Sequence, residues 1–344
     1  MKKKTIGFLL SVIVPICMVT ACSSGTDNSS KNNIEIFSST KEASEETDSE
    51  NSDVANSASS EMNPNLNEIM SEEETIYSSF VGNTSFATIR DDYREDGACI
   101  ILGDKITGEF TIKDMIEAIK ANFDSEDIKE DSVEYRIIDC GNDGNYELAL
   151  EISFEEADMY TGLFIFDESD DGKLQLIYSN DMWSRKWLSV NKYGYIMVGG
   201  SNGAASHSGD AILIDANGKT NDIYNYDEEG FGFHFYREEY ETACKIDEIV
   251  DTWMEKGSEE VDKISNLFFT LNIIDGKDYY SYGYYDESAE GSADELISEC
   301  TEAGVEFTSD EEIKGLINQR IEAFGGDPAT VTDTSDVFME EVVE

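Results

Sequence analysis

The chain reads as an α+β protein, mainly β: an antiparallel meander of short hairpin-paired strands, propeller-like or bent into a partial barrel, with flanking helices. Three observations predict it. From Val133 onward, short runs of apolar and polar side chains alternate with a period of two. The links between runs are short and rich in Asp, Asn, Gly and Ser, and Asp171-Gly172 and Asn217-Gly218 are hairpin signals because such residues tolerate positive φ. Helical spacing is confined to the segments before and after this stretch.

The first element is a leader. Lys2, Lys3 and Lys4 precede an uncharged run, Thr5 to Val19. That run is shorter than the ~20 apolar residues a spanning helix needs and has the proportions of a secretory signal. Val19-Thr20-Ala21-Cys22 resembles the lipobox of bacterial lipoproteins. The resemblance implies cleavage before Cys22 and acylation of its thiol with diacylglycerol, a palmitate-type membrane anchor. Two acyl chains suffice for stable tethering where one does not. The expected divisions are a signal peptide over 1–21, a tether over 22–71, one β-rich domain with helical flanks over 72–325, and an acidic tail over 326–344. The tether is low-complexity Ser, Asn, Glu and Thr. It has too little apolar surface to offset the entropy of ordering, and its r.m.s. reach is ~40 Å.

Within the domain, Ile76, Tyr77, Phe80 and Val81 predict a short opening helix. Ser85 to Ile89 and Ala98 to Leu102 read as strands. A helix from Thr111 through Phe123 puts Ile112, Met115, Ile116 and Ile119 on one face, with Asp114 completing a capping box to Thr111. Strands follow at Val133 to Ile138, Tyr146 to Phe154, Thr161 to Phe166, Leu174 to Tyr178, Lys186 to Val190, Tyr195 to Val198, Ala211 to Ile214 and Ile223 to Tyr226. Tyr240 to Lys256 returns to helical spacing. Leu267 to Ile274 and Tyr279 to Tyr285 flank the turn Asp275-Gly276. Ala293 to Ala303 and Ser309 to Phe324 close the domain as helices, the second with a Ser309/Glu312 capping box.

Composition excludes some functions. With 75 acidic and 24 basic residues the formal net charge is −51. Such a chain does not bind nucleic acid by phosphate neutralisation and is repelled by anionic lipid heads, so it stands off the membrane that anchors it. Besides Cys22, Cys99, Cys140, Cys244 and Cys300 follow the leader. Their spacing fits no zinc pattern and their apolar neighbours favour buried thiols, although an exported protein can form disulfides.

Four places carry chemistry. In the first, Asp139 to Glu147, oxygens at alternate positions and a Gly for the sharp bend are what a calcium loop needs. Its ligands would be Asp139, Asn142, Asp143 and Glu147. Gly141 stands where a further oxygen is needed, which favours the other reading, a hairpin loop whose Asp139 and Asn142 cap backbone amides. Asp167, Ser169, Asp171 and Gly172 repeat the spacing more weakly and read as a turn. Gly199-Gly200-Ser201-Asn202-Gly203 matches G-x-S-x-G, with His207 and Asp210 nearby. However, a nucleophile elbow needs a helix after the serine, and here a strand follows. Finally, alternation puts Tyr280, Tyr282 and Tyr284 on one face, which would suit stacking on sugar rings or packing within the sheet.

The phrase Tyr135, Ile138, Asp139, Asn142, Asp143, Gly144, Glu147, Leu148 resembles the D-x-D-x-D-G-x-x-E-L loop of FG-GAP and VCBS repeats. It is still more similar to a phrase of surface lipoproteins of Gram-positive anaerobes, a group whose biochemical role is unassigned. Ile76-Tyr77-x-x-Phe80, Gly162 to Phe166 and the Gly/Ser/His loop Gly199 to Ser208 extend the resemblance over about Ile76 to Asn225. The function expected is a membrane-anchored extracytoplasmic lipoprotein with a non-catalytic binding or structural role at the cell surface. Its ligand would be a wall component, a glycan or a protein. The alternatives are a calcium-dependent glycan or protein adhesion module and a serine hydrolase using Ser201 and His207.

Overall fold

The computed structural model describes residues 75–95, 102, 105–123, 130–154, 160–203, 205–230, 235, 240–331 and 336–338. All of them fall in one compact unit, Glu61–Glu344. The leader, Cys22, the tether, Cys99, His234 and most of the strand expected at Ala98 to Leu102 lie outside the described residues.

The elements are, in chain order, α1 (Ile76–Val81), β1 (Ala87–Ile89), α2 (Asp91–Glu95), α3 (Ile112–Lys120), β2 (Glu130–Ile138), β3 (Glu147–Phe154), β4 (Tyr160–Glu168) and β5 (Leu174–Met182). These are followed by β6 (Lys186–Val190), β7 (Tyr195–Ser201), β8 (Ser206–Ile214), β9 (Thr220–Gly230), α4 (Glu241–Lys256), α5 (Ser258–Ile264), β10 (Leu267–Ile274), β11 (Lys277–Tyr284), a 3-10 turn, α6 (Asp294–Glu302), α7 (Asp310–Ala323) and α8 (Pro328–Val331).

The protein is mainly β, as the alternation predicts, but its strands form two open sheets rather than blades or a closing barrel. The first has the order β1-β5-β4-β3-β2, the second β11-β10-β9-β8-β7-β6. Two features divide the meander. The chain turns at Trp183 to Lys186 and leaves β5 for the second sheet. The edge of β5 is then taken by β1, which pairs in parallel with Ala87 opposite Leu174.

Side-chain alternation explains the layering. In β3 and β4, Leu148, Leu150, Ile152, Phe154, Phe164 and Phe166 point to α1 and α3. Ala149, Leu163 and Ile165 point the other way, against Leu188, Val190, Ile196 and Val198 of the second sheet. The first sheet is therefore buried on both faces, which is why β3 and β4 read as almost continuous apolar runs. Each fully buried Leu, Ile or Phe adds about 1.5–3 kcal/mol of hydrophobic stabilisation.

The second sheet has an inner and an outer face. At β6, β7 and the end of β8 the inner face meets the first sheet. At β10 and β11 it meets α4 and α6, through Phe269, Leu271 and Tyr280 against Ile246, Trp253 and Leu296. On the outer face α7 covers Tyr195, Ala211, Leu213 and Ile223 with Ile317, Ile321 and Phe324. The helices begin where expected: the Thr111/Asp114 and Ser309/Glu312 capping boxes both form, and a third, Thr75/Ser78, starts α1.

The segment read as an acidic tail contains docked residues. Pro328–Val331 is helical, and Val337 is buried in the core between the sheets. Its amide donates to the Val190 carbonyl at 3.0 Å. Arg136 donates to the Val337 carbonyl at 3.1 Å and lies over the Phe338 ring. Two apolar side chains among the acids suffice to dock this stretch. Among the described residues no helix is long and apolar enough to cross a membrane.

Candidate functional site

The loop between β2 and β3 spends its oxygens on its own backbone. Asp139 Oδ1 accepts the amides of Asp143 at 2.9 Å and Gly144 at 3.1 Å. The Asp143 carboxylate accepts the Asn145 amide and Nδ2, both at 2.8 Å. Glu147 is 3% exposed and turns inward, its Oε2 accepting the Cys140 amide at 2.7 Å. Burial pushes the Glu147 carboxyl up to about 8 against the lowering hydrogen bonds from Cys140, and Asp167 and Asp139 push in the same direction as burial. Asn142 supplies the left-handed turn, at φ 54°. A hard cation needs several oxygens converging on one point, whereas here those of Asp139, Asp143 and Glu147 are aimed at different amides. Among the described residues no group of three or more His, Cys, Asp or Glu is disposed to hold a metal.

The missing oxygen at Gly141 has a steric cause. A Cβ there would lie 2.8 Å from the Cα of Ala216, in the β8–β9 turn, so an aspartate cannot be seated. The loop instead clamps the two sheets: Asp139 N donates to Lys192 O at 2.8 Å and Gly141 N to Tyr193 O at 3.2 Å. The weaker Asp167 to Gly172 stretch is a turn. Its Ser169 hydroxyl donates to Asp171 Oδ1 at 2.7 Å, and Lys173 pairs with Asp171 at 2.6 Å.

Ser201 and His207 are brought to facing positions on neighbouring strands. The segment read as a Gly/Ser/His loop is the end of β7 and the start of β8, and the two residues are directly opposed. The register adds a residue that spacing could not give: Glu228 of β9 faces His207. Thus Ser201, His207 and Glu228 stand in line across three strands. The Ser201 hydroxyl donates to Gly203 O at 2.5 Å. Glu228 accepts the Tyr285 hydroxyl at 3.2 Å, and burial raises its pKa.

Tyr280, Tyr282 and Tyr284 share a face, as alternation predicts, but it is the inner face. Tyr280 is 6% exposed and packs edge-on to Phe235. Tyr282 packs edge-on to Phe307, and the Tyr284 hydroxyl accepts the Ala293 amide at 3.2 Å. Tyr280 and Tyr284 belong to the packing between the sheet and helices α4 and α6, while Tyr282 is 37% exposed. Asp210 likewise lies on the inner side, accepting from Asn225. Cys140, Cys244 and Cys300 are in no disulfide. Cys140 and Cys300 are buried, and burial raises both thiol pKa values.

The outer face of the second sheet is the feature that sequence reasoning missed. Beyond the part under α7, Trp187 is 40% exposed and Tyr285 50% exposed, with Tyr226, Phe268, His207 and Glu228 partly exposed between them. The signal lay in the register rather than in any local motif. Trp187, Gly199, Gly209 and Tyr226 pair in sequence across β6 to β9, so Gly199, read as part of a loop, and Gly209 just after it are strand positions under aromatic rings. No family profile, curated protein or solved structure matches the chain.

Proposed function

We propose that the chain is a lipid-anchored extracytoplasmic lipoprotein whose folded unit has a binding or structural role at the cell surface and no catalytic step. The observation that carries this reading is the part of the second sheet's outer face that no described helix covers. Exposed rings there share a face with a serine whose hydroxyl donates to a backbone carbonyl. The basic and apolar leader ending at Cys22 supports the anchor. The loop phrase around Asp139 to Leu148 supports a place among the surface lipoproteins of Gram-positive anaerobes, with the loop as a structural clamp. The net charge of −51 supports a domain held off the anionic membrane.

Metabolic labelling with radioactive palmitate in a Gram-positive host tests the anchor. The wild-type chain should carry label and sediment with membranes, and Cys22→Ala should lose both properties. An unlabelled wild-type chain in the soluble fraction would remove the anchor. The non-catalytic part is tested with an ester panel: turnover present in wild type and abolished in Ser201→Ala would replace this reading with the hydrolase.

A further inference from the structure

We propose that the uncovered part of the second sheet's outer face is a calcium-independent site for a neutral glycan chain, with Trp187 and Tyr226 as the stacking floor and His207 and Glu228 as hydroxyl partners. The inference rests on the binding reading above and names its ligand class.

The floor is built by two glycines. Trp187 is opposite Gly199, Gly199 opposite Gly209, and Gly209 opposite Tyr226. A Cβ on Gly199 would strike the Trp187 indole. One on Gly209 would lie 2.6 Å from Cε1 of Tyr226. Each ring therefore leans inward and lies across its neighbouring glycine. Those glycines sit on adjacent strands ~4.8 Å apart, so the two rings lie over neighbouring strands of one face. An aromatic face carries the negative lobe of its quadrupole and attracts the polarised C–H groups on one side of a sugar ring.

A polar row lies beside this floor. Ser201, His207 and Glu228 are each two residues along their strands from Gly199, Gly209 and Tyr226, on the same face and ~7 Å away. Glu228 is held by the Tyr285 hydroxyl, and Tyr285 is braced on Phe268 with ring centroids 4.7 Å apart. His207 attracts Glu228 electrostatically from the facing position on β8. A rigid ring floor flanked by anchored donors and acceptors fits a ligand that presents C–H faces and hydroxyl edges together.

Charge selects among ligands. In a chain of net charge −51, the two rows contain one carboxylate, Glu228, and Arg185 stands across from Ser201 at the sheet edge. An anionic polymer is repelled by the whole molecule. A cationic partner is drawn to the molecule as a whole, but in these two rows it meets one carboxylate, already engaged by Tyr285. The neutral, polyhydroxylated class remains.

The test is calorimetric titration of the chain in excess EDTA with cellohexaose and with chitohexaose, followed by chromatography of the sugar. The expected result is binding of an intact oligosaccharide. Affinity should fall at least about tenfold in Trp187→Ala and about threefold in Glu228→Gln, and stay unchanged in Tyr282→Ala, which removes an exposed ring from the inner face. Trp187 is exposed enough that its loss leaves the melt intact, which checks the fold. Binding of neither sugar overturns the glycan assignment, as does Trp187-dependent self-association without sugar binding. Both outcomes leave a binding or structural role standing. Cleavage of the sugar that disappears in Ser201→Ala or Glu228→Gln overturns the non-catalytic reading itself.

Discussion

The carboxylate of Glu147 accepts the backbone amide of Cys140 at 2.7 Å in a site closed to water on nearly every side. A glutamate that the sequence offers to an ion is thus the inner brace of a hairpin. Its carboxyl is pushed up to about 8, first by burial. The folded state therefore keeps a proton that the unfolded chain releases above its ordinary value of 4.5.

The sign of the pH effect follows. Between the unfolded and folded pKa values the native state binds more protons, so stability falls as pH rises through this window and levels off above it. Glu147→Gln keeps an acceptor for the Cys140 amide and cannot ionise. Each pKa unit is worth ~1.4 kcal/mol, so denaturant melts should show the variant gaining at least ~1 kcal/mol on wild type between pH 5.5 and pH 8.5. Parallel pH curves would mean that Glu147 is ionised in the fold.

Asp139 makes the second prediction. Its Oδ1 holds the Asp143 and Gly144 amides, both reachable by water, so Asp139→Ala should cost ~1 kcal/mol. Millimolar calcium against EDTA should leave the wild-type Tm within ~1 °C, since a saturated native site would raise it. A larger rise in wild type that vanishes in Asp139→Ala would put an ion in the loop.

Local chemistry was legible in the sequence and long-range pairing was not. Thr111 with Asp114, Ser309 with Glu312, and the positive φ of Asp275, Gly276 and Gly218 all follow from interactions within a few residues. The parallel pairing of Ala87 with Leu174 joins segments far apart in the chain, and no local pattern announces it. Alternation placed Tyr280, Tyr282 and Tyr284 on one face correctly. It could not say what covers that face, because α4 and α6 come from elsewhere. The run Gly199 to Ser208 looked like a loop because glycine weakens strands. Gly199, and Gly209 just beyond the run, are clearances for Trp187 and Tyr226, rings that only the register brings over them. Gly141 looked like a lost ligand and is a packing contact with Ala216.

Gly194 tests the clamp between the sheets. It has φ 76°, and a Cβ there would lie 2.6 Å from the Cys140 sulfur. Gly194→Ala should cost ~2–3 kcal/mol from backbone strain and overpacking together. Adding Cys140→Ala removes the sulfur but not the φ strain, so it should recover roughly 1 kcal/mol of that loss. Full additivity of the two single losses in a double-mutant cycle would show that the two residues do not press on one another.

The docked segment after α8 gives the last prediction. Val337 is buried among Ile138, Val190 and Val198, its amide bonded to Val190 and its carbonyl to Arg136. A carboxylate in place of the valine side chain would be put among Ile138, Val190 and Val198, so Val337→Asp should release the segment rather than bury the charge. Undocking strips cover from the core between the sheets and leaves Arg136 without its carbonyl partner. The expected loss is ~2–3 kcal/mol, against ~1–2 kcal/mol for Val337→Ala, which keeps the backbone bonds. Deletion of residues 332–344 should match Val337→Asp if docking is the whole effect. Melting of the three variants side by side checks the order, and a deletion as stable as wild type would mean that Val337 seals nothing.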